Sequence, residues 1–191
     1  GSFSPEMADI ARTFFDRNWI DAPVRAGKAP GAFAHPTVPS VHPYVLLNYM
    51  GKPRDVMTLA HELGHGVHQV LAGGQGALMA STPLTLAETA SVFGEMLTFR
   101  SLLDSTTDPR ERKAMLAQKV EDMINTVVRQ IAFYEFERKV HAERGNGELT
   151  ADKIGEFWLE VQAESLGPAI RLREGYETFW TYIPHFIHSP F

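Results

Sequence analysis

The chain contains no cysteine. No disulfide can brace it, and any metal it holds must be bound by His, Asp or Glu. Lack of cysteine is compatible with a reducing compartment. No apolar run comes near the roughly 18 residues that a membrane-crossing helix requires, so no membrane partner is expected. The opening Gly1-Ser2-Phe3-Ser4-Pro5-Glu6-Met7 lacks the basic-then-apolar pattern of a secretory signal. Positive charge is in deficit: 18 Lys and Arg stand against 23 Asp and Glu, for a formal net charge of −5. With no basic surplus to neutralise phosphates, nucleic acid is not an expected partner either. There is no internal repeat and no low-complexity tract.

What is present is 191 residues, 44% hydrophobic and 21% charged, which suits one globular domain over 1–191 with a sizeable core. Ser4-Pro5-Glu6 reads as a helix start, with Ser as N-cap, Pro in the first turn and an acid beside it. Met7, Ile10, Ala11, Phe14 and Phe15 follow at helical spacing, and the helix is expected to end near Trp19 to Ile20. Prolines at 23, 30, 36, 39 and 43 then exclude helix. Within this stretch 31–34 and 44–49 are the strand candidates, a small hairpin or strand pair. Pro53 to Ala72 carries an apolar stripe of Val56, Leu59, Ala60, Leu63, Val67, Val70 and Leu71 and predicts one helix, stopped by Gly73-Gly74. Further helices are predicted over 84–103, 109–144 and 150–165. Phe133, Tyr134, Phe136, Phe157 and Trp158 sit at helical spacing and are expected in the core. The reading is mainly α.

The chemistry lies in Thr58-Leu59-Ala60-His61-Glu62-Leu63-Gly64-His65-Gly66-Val67-His68. Four residues make slightly more than one helical turn, so His61 and His65 project from one face and can share a metal. Glu62 is rotated by about 100° from His61. It sits beside the metal rather than on it, placed to take a proton from an activated water. A catalytic zinc site needs a third protein ligand. The spacing H-E-x-x-H-x-x-G-x-x-H would put a His at 71, where Leu71 stands, and the thermolysin spacing would put a Glu at 85, where Thr85 stands. The next acid downstream is Glu88, and a helix carrying it can pack on the motif helix and deliver one carboxylate. Glu95, two turns further along the same face, can bond the outer nitrogen of a ligating His.

The segments His61-Glu62-Leu63-Gly64-His65-Gly66-Val67-His68 and Ala87-Glu88-Thr89-Ala90-Ser91-Val92-Phe93-Gly94-Glu95 together resemble the oligoendopeptidase F branch of the thimet-oligopeptidase family of zinc peptidases. Gly31-Ala32-Phe33, His42-Pro43-Tyr44-Val45-Leu46-Leu47-Asn48-Tyr49 and the tail from Tyr182 to Phe191 resemble the same branch. The resemblance implies a zincin-like helical metallopeptidase core. It implies one zinc ion per chain, held by His61, His65 and Glu88, with Glu62 as general base. It further implies that Gly31, Ala32 and Phe33 pair with the backbone of a short peptide substrate, that His185 assists substrate binding, and that the setting is cytoplasmic. Members of this family are longer, with a helical lobe ahead of this region and a tyrosine-rich segment after it. The 191-residue chain is therefore expected to be a portion of such a protein that binds zinc but hydrolyses peptides poorly. The competing readings are a zinc-stabilised helical module that binds peptides or proteins without cutting them, and a helical scaffold with a fortuitous motif.

Overall fold

The Ser4 hydroxyl accepts a hydrogen bond from the Met7 N–H at 3.4 Å, and Pro5 brings no N–H that would need a partner. The first helix, α1, accordingly runs Pro5–Asp16. The computed structural model describes residues 3–188; Gly1, Ser2 and the last three residues of the tail, which carry part of the resemblance, lie outside them. The helix stops earlier than its periodicity predicts. Asn18 turns the chain through a left-handed conformation (φ 56°), and the Trp19 N–H bonds back to the Phe14 carbonyl at 2.9 Å.

That turn frees Ile20–Asp21 to form a strand, β1. With β2 (Phe33–His35) and β3 (Tyr44–Leu46) it makes a sheet of order β1-β3-β2. β1 runs parallel to β3 with Ile20 opposite Val45, and β2 runs antiparallel to β3 with Ala34 opposite Val45. Three strands thus replace the expected pair. The additional strand is only two residues long, too short to show a period, and exists because β3 lies beside it. The Leu47 and Tyr49 N–H groups extend this contact to the Asp21 and Ala22 carbonyls at 2.8 and 2.9 Å. Gly31 and Ala32 precede β2 rather than belonging to it. Gly31 has φ 84°, which a residue with a side chain rarely adopts. The Asn48 amide donates to the Ala29 and Gly31 carbonyls at 3.0 and 2.9 Å and so braces this approach segment.

Helix α2 spans Pro53–Gly73. The Asp55 carboxylate accepts the Met50 and Lys52 N–H groups, each at 2.9 Å, at its N-terminus; those bonds hold its pKa below the usual carboxylate value. Phe14, Val45 and Leu47 form a buried cluster, against which Leu59, Leu63 and Val70 of α2 pack. Helix α3, Leu84–Ser105, lies along the other side of α2. Two glycines permit this. A Cβ on Gly64 would come within 2.7 Å of the Ala90 carbonyl oxygen and 2.8 Å of the Ser91 Cα; one on Gly94 would meet the Ala60 carbonyl at 2.9 Å. Gly66 serves α1 in the same way, because a Cβ there would run into the Phe14 ring at 2.6 Å.

The chain divides into two compact units, Gly1–Pro109 and Arg110–Phe191. The second unit is helical. Helix α4, Pro109–Arg144, is uninterrupted over 36 residues. Helix α5, Ala151–Leu166, starts where the Thr150 hydroxyl accepts the Lys153 N–H at 3.2 Å and ends at Gly167 (φ 71°). A 3₁₀ helix (Tyr176–Tyr182) and a short helix α6 (His185–His188) complete it. Its core is Ala132, Phe133, Phe136, Trp158, Val161 and Ile183, with Phe157 packed against it. Tyr134, expected in that core, is 57% exposed; Phe133 and Phe136 share the inner face of α4, whereas Tyr134 is rotated about 100° from Phe133. Among the described residues no helix is long and apolar enough to cross a membrane.

Replacing Gly64 with Ala forces α2 and α3 apart by their backbones, since the obstructing atoms belong to Ala90 and Ser91 main chain. We expect Gly64→Ala to destabilise the first unit by about 1–3 kcal/mol, read as an earlier urea midpoint. An unchanged midpoint would mean the two helices do not touch at this point.

Candidate metal centre

His61 and His65 stand one turn apart on α2, their rings 5.0 Å apart and nearly perpendicular. Glu88, in the second turn of α3, faces both. Its Oε2 lies 3.3 Å from His61 Nε2 and its Oε1 lies 3.6 Å from His65 Nε2. One ligand atom from each of the three residues falls within 4.8 Å of the others. Bonds of about 2.1 Å to a tetrahedral cation would separate its ligands by about 3.4 Å. The spacing therefore fits a small divalent ion, and the donor set of two imidazoles and a carboxylate suits zinc.

The outer nitrogen of each imidazole is also engaged. His61 Nδ1 lies 3.4 Å from Glu95 Oε2. The backbone carbonyl of Ala87 accepts a hydrogen bond from His65. Such partners fix the tautomer and turn the opposite nitrogen toward the ligand position. Glu88 is itself anchored by Ser91, which is fully buried. The Ser91 hydroxyl lies 2.9 Å from Glu88 Oε2 and 3.0 Å from the Glu88 carbonyl.

Glu62 is 6% exposed, the only buried acid among the described residues. Burial pushes its pKa up to about 7, against the pull of His61 and of the Ala34 backbone N–H directed at its carboxylate. The Ala34 carbonyl is held from the same helix by the Gln69 amide at 3.2 Å. Strand β2 is thus tied to α2 at the level of Glu62. For His61, burial alone would lower the pKa, but hydrogen bonds to Glu88 and Glu95 outweigh it and raise the value to about 9. Burial lowers that of His65, which gains less from its neighbours. Glu88 is depressed because hydrogen bonds from His61 and Ser91 overcome the opposing effect of its burial.

The structure brings together His61, Glu62, His65, Glu88 and Glu95. Gly31 and Ala32 line a separate cavity of about 340 Å³ with Asn48, Tyr49, Arg54 and Thr58, one turn before His61 on α2. Phe33, at the start of β2, is partly exposed. His185 opens α6 in the second unit with its side chain exposed; the His61–His65–Glu88 cluster is built without it. Sequence reasoning missed Ser91, the Ala87 carbonyl, Ala34 and the close-packing role of Gly64 and Gly94. Ser91 had a weak signal in its position three residues past Glu88, but Thr89 is nearer in sequence and its hydroxyl goes instead to the Thr85 carbonyl at 2.9 Å.

The sandwich of His61 between two carboxylates yields a measurable outcome. In metal-free protein, NMR titration should find His61 protonated well above neutrality, and Glu95→Gln should lower its pKa by about one unit or more, because a charge that favours imidazolium is gone. An unmoved titration would remove Glu95 from the site.

The profile of peptidase family M3 matches residues 3–191. The chromosomal oligoendopeptidase F of Lactococcus lactis subsp. cremoris is 31% identical over 189 residues, which is 98% of this chain and 31% of that protein. The oligopeptidase PepF of Bacillus subtilis (strain 168) is 28% identical over 186 residues, 96% of this chain and 28% of that protein. The structure of PZ peptidase A with an inhibitor superposes with a TM-score of 0.77 at 18% identity, over 95% of this chain and 32% of that one, a likeness of fold. This chain spans about a third of the length of these relatives.

Proposed function

The chain belongs to peptidase family M3, and from that premise we propose that it carries the zinc site and general base of an oligopeptidase that hydrolyses short peptides in the cytoplasm. The observation that supports this most is the convergence of His61, His65 and Glu88 within 4.8 Å, with buried Glu62 one residue along the same helix. Three protein ligands is the count of catalytic zinc sites, whereas structural sites close with four. That count favours a hydrolase over a metal-stabilised binding module.

Zinc held there supplies Lewis-acid polarisation of the scissile carbonyl and makes water more acidic. The chain's own residues do the rest. The Glu62 carboxylate takes the proton of the attacking water and returns it to the leaving amide nitrogen. Its burial suits both halves of that task, since a carboxyl group in an apolar setting holds a proton more readily than one in solvent. Glu95 and the Ala87 carbonyl keep the two imidazoles turned toward the ligand position, and Ser91 does the same for Glu88. The Ala34 N–H orients Glu62. The cavity beside Gly31 and Ala32 is lined by Arg54 and Thr58 of α2, the helix that carries Glu62. A peptide lying there in extended form would pair with the backbone ahead of β2, with Phe33 as an apolar neighbour.

Metal analysis of the purified chain should find about one zinc per molecule; His61→Ala should lose it. Glu62→Gln should keep the metal while any metal-dependent cleavage of an internally quenched peptide falls by about 100-fold or more. Full retention of metal in His61→Ala, or undiminished cleavage in Glu62→Gln, would contradict the assignment.

Zinc affinity should also depend on pH with a definite sign. Below about 9, His61 of the metal-free protein is protonated, so binding must release that proton. Apparent affinity should rise about tenfold per pH unit toward pH 9 and flatten above it. Competition with a chelator at several pH values tests this, and affinity that falls with rising pH would exclude His61 as a ligand.

A further inference from the structure

The cavity beside Gly31 and Ala32 takes one stripe of α2 as a wall, with Arg54 and Thr58 four residues apart on it. The same stripe continues to His61 and His65. Arg54 precedes His61 by two helical turns, which returns its side chain to within about 20° of the same direction. The two positions lie about 10 Å apart along the helix axis. An extended peptide covers that distance in about three residues.

Most polar groups of the cavity wall are already matched. The Asn48 amide donates to the Ala29 and Gly31 carbonyls at 3.0 and 2.9 Å, and the Thr58 hydroxyl donates to the Arg54 carbonyl at 3.1 Å. The Asp55 carboxylate accepts the Met50 and Lys52 N–H groups, each at 2.9 Å. The Arg54 guanidinium and the Tyr49 hydroxyl, by contrast, have no hydrogen bond or ion pair among the described residues.

The backbone beside them has a free register. Both main-chain groups of Ala34 are committed to α2, the N–H to Glu62 and the carbonyl to Gln69. Groups facing the same way along an extended chain recur every second residue. The preceding position on that edge is Ala32, which lines the cavity and makes no backbone hydrogen bond among the described residues. A peptide that pairs there passes a guanidinium with no partner of its own. A guanidinium only donates, and a carboxylate is the group that matches its fork with two charge-assisted bonds.

We propose that Arg54 sets substrate preference, favouring peptides with a carboxylate about three residues from the bond that is cut. This rests on the reading that a peptide lies along Gly31 and Ala32.

Binding to the ¹⁵N-labelled chain tests it without relying on cleavage. The probes are six-residue alanine peptides blocked at both ends, with one Asp or one Asn at the third position. The Asp peptide should shift the Ala32 and Arg54 amide signals saturably and bind about fivefold more tightly than the Asn peptide. Raising the salt concentration should narrow that margin. Arg54 is exposed, so Arg54→Gln should keep the fold while abolishing the difference, and Arg54→Lys should retain part of it. An all-alanine peptide with a free C-terminal carboxylate separates the two sources. Binding as tight as that of the Asp peptide assigns Arg54 to peptide ends, and binding at the level of the Asn peptide assigns it to acidic side chains. Equal binding of the Asp and Asn peptides, or a preference that survives Arg54→Gln, overturns the proposal and leaves the metal centre as it stands. No shift at Ala32 with either peptide overturns both the proposal and the peptide path it rests on.

Discussion

The close crossing of α2 and α3 is the constraint on which the site depends. Backbone meets backbone where Gly64 faces Ala90 and Ser91, and where Gly94 faces Ala60. Without side chains between them, the helices come near enough for a glutamate on one to reach two histidines on the other. A single methyl group at either glycine would increase the separation by more than the tolerance of a metal site. Gly66 repeats the device toward α1, where Phe14 fills the space a Cβ would take. The motif helix is thereby held on two sides, and its polar face is left to the chemistry.

Electrostatics then sets the character of the cluster. Three carboxylates (Glu62, Glu88 and Glu95) surround two imidazoles in a partly buried space. In the metal-free protein the imbalance shows as a proton retained by His61 to about 9, while burial raises the Glu62 pKa to about 7. Positive charge is what the cluster is short of, and that is the need the proposed divalent cation would meet. The supporting contacts from Ser91, Glu95 and the Ala87 carbonyl reduce the freedom of the Glu88, His61 and His65 side chains, as such partners do around a ligand set.

The small sheet contributes position rather than bulk. It carries few residues, but Ala34 directs its N–H at Glu62 and its carbonyl is held by Gln69. Strand β2 and the helix that bears Glu62 are therefore one mechanical piece. Leu47 and Val45 seat the sheet on Phe14, so the same core residue supports both the strand and the motif helix.

Much of this protein was determined by sequence alone. Periodicity gave the long helices nearly to their ends, since Ser4, Thr150 and Gly167 are local stop and start signals whose physics does not depend on distant residues. The His61-Glu62-x-x-His65 spacing likewise determined two ligand candidates and a candidate base, because one helical turn sets their relative directions wherever the helix lies. Tertiary structure decided the remainder. β1 is two residues that become a strand only when β3 lies alongside them, Tyr134 faces outward because its neighbours claim the inner face, and Glu88 comes within reach of His61 and His65 because Gly64 and Gly94 let α3 lie close against α2. These outcomes depend on which surfaces meet, and contacts between residues far apart in the chain leave no periodic trace in it.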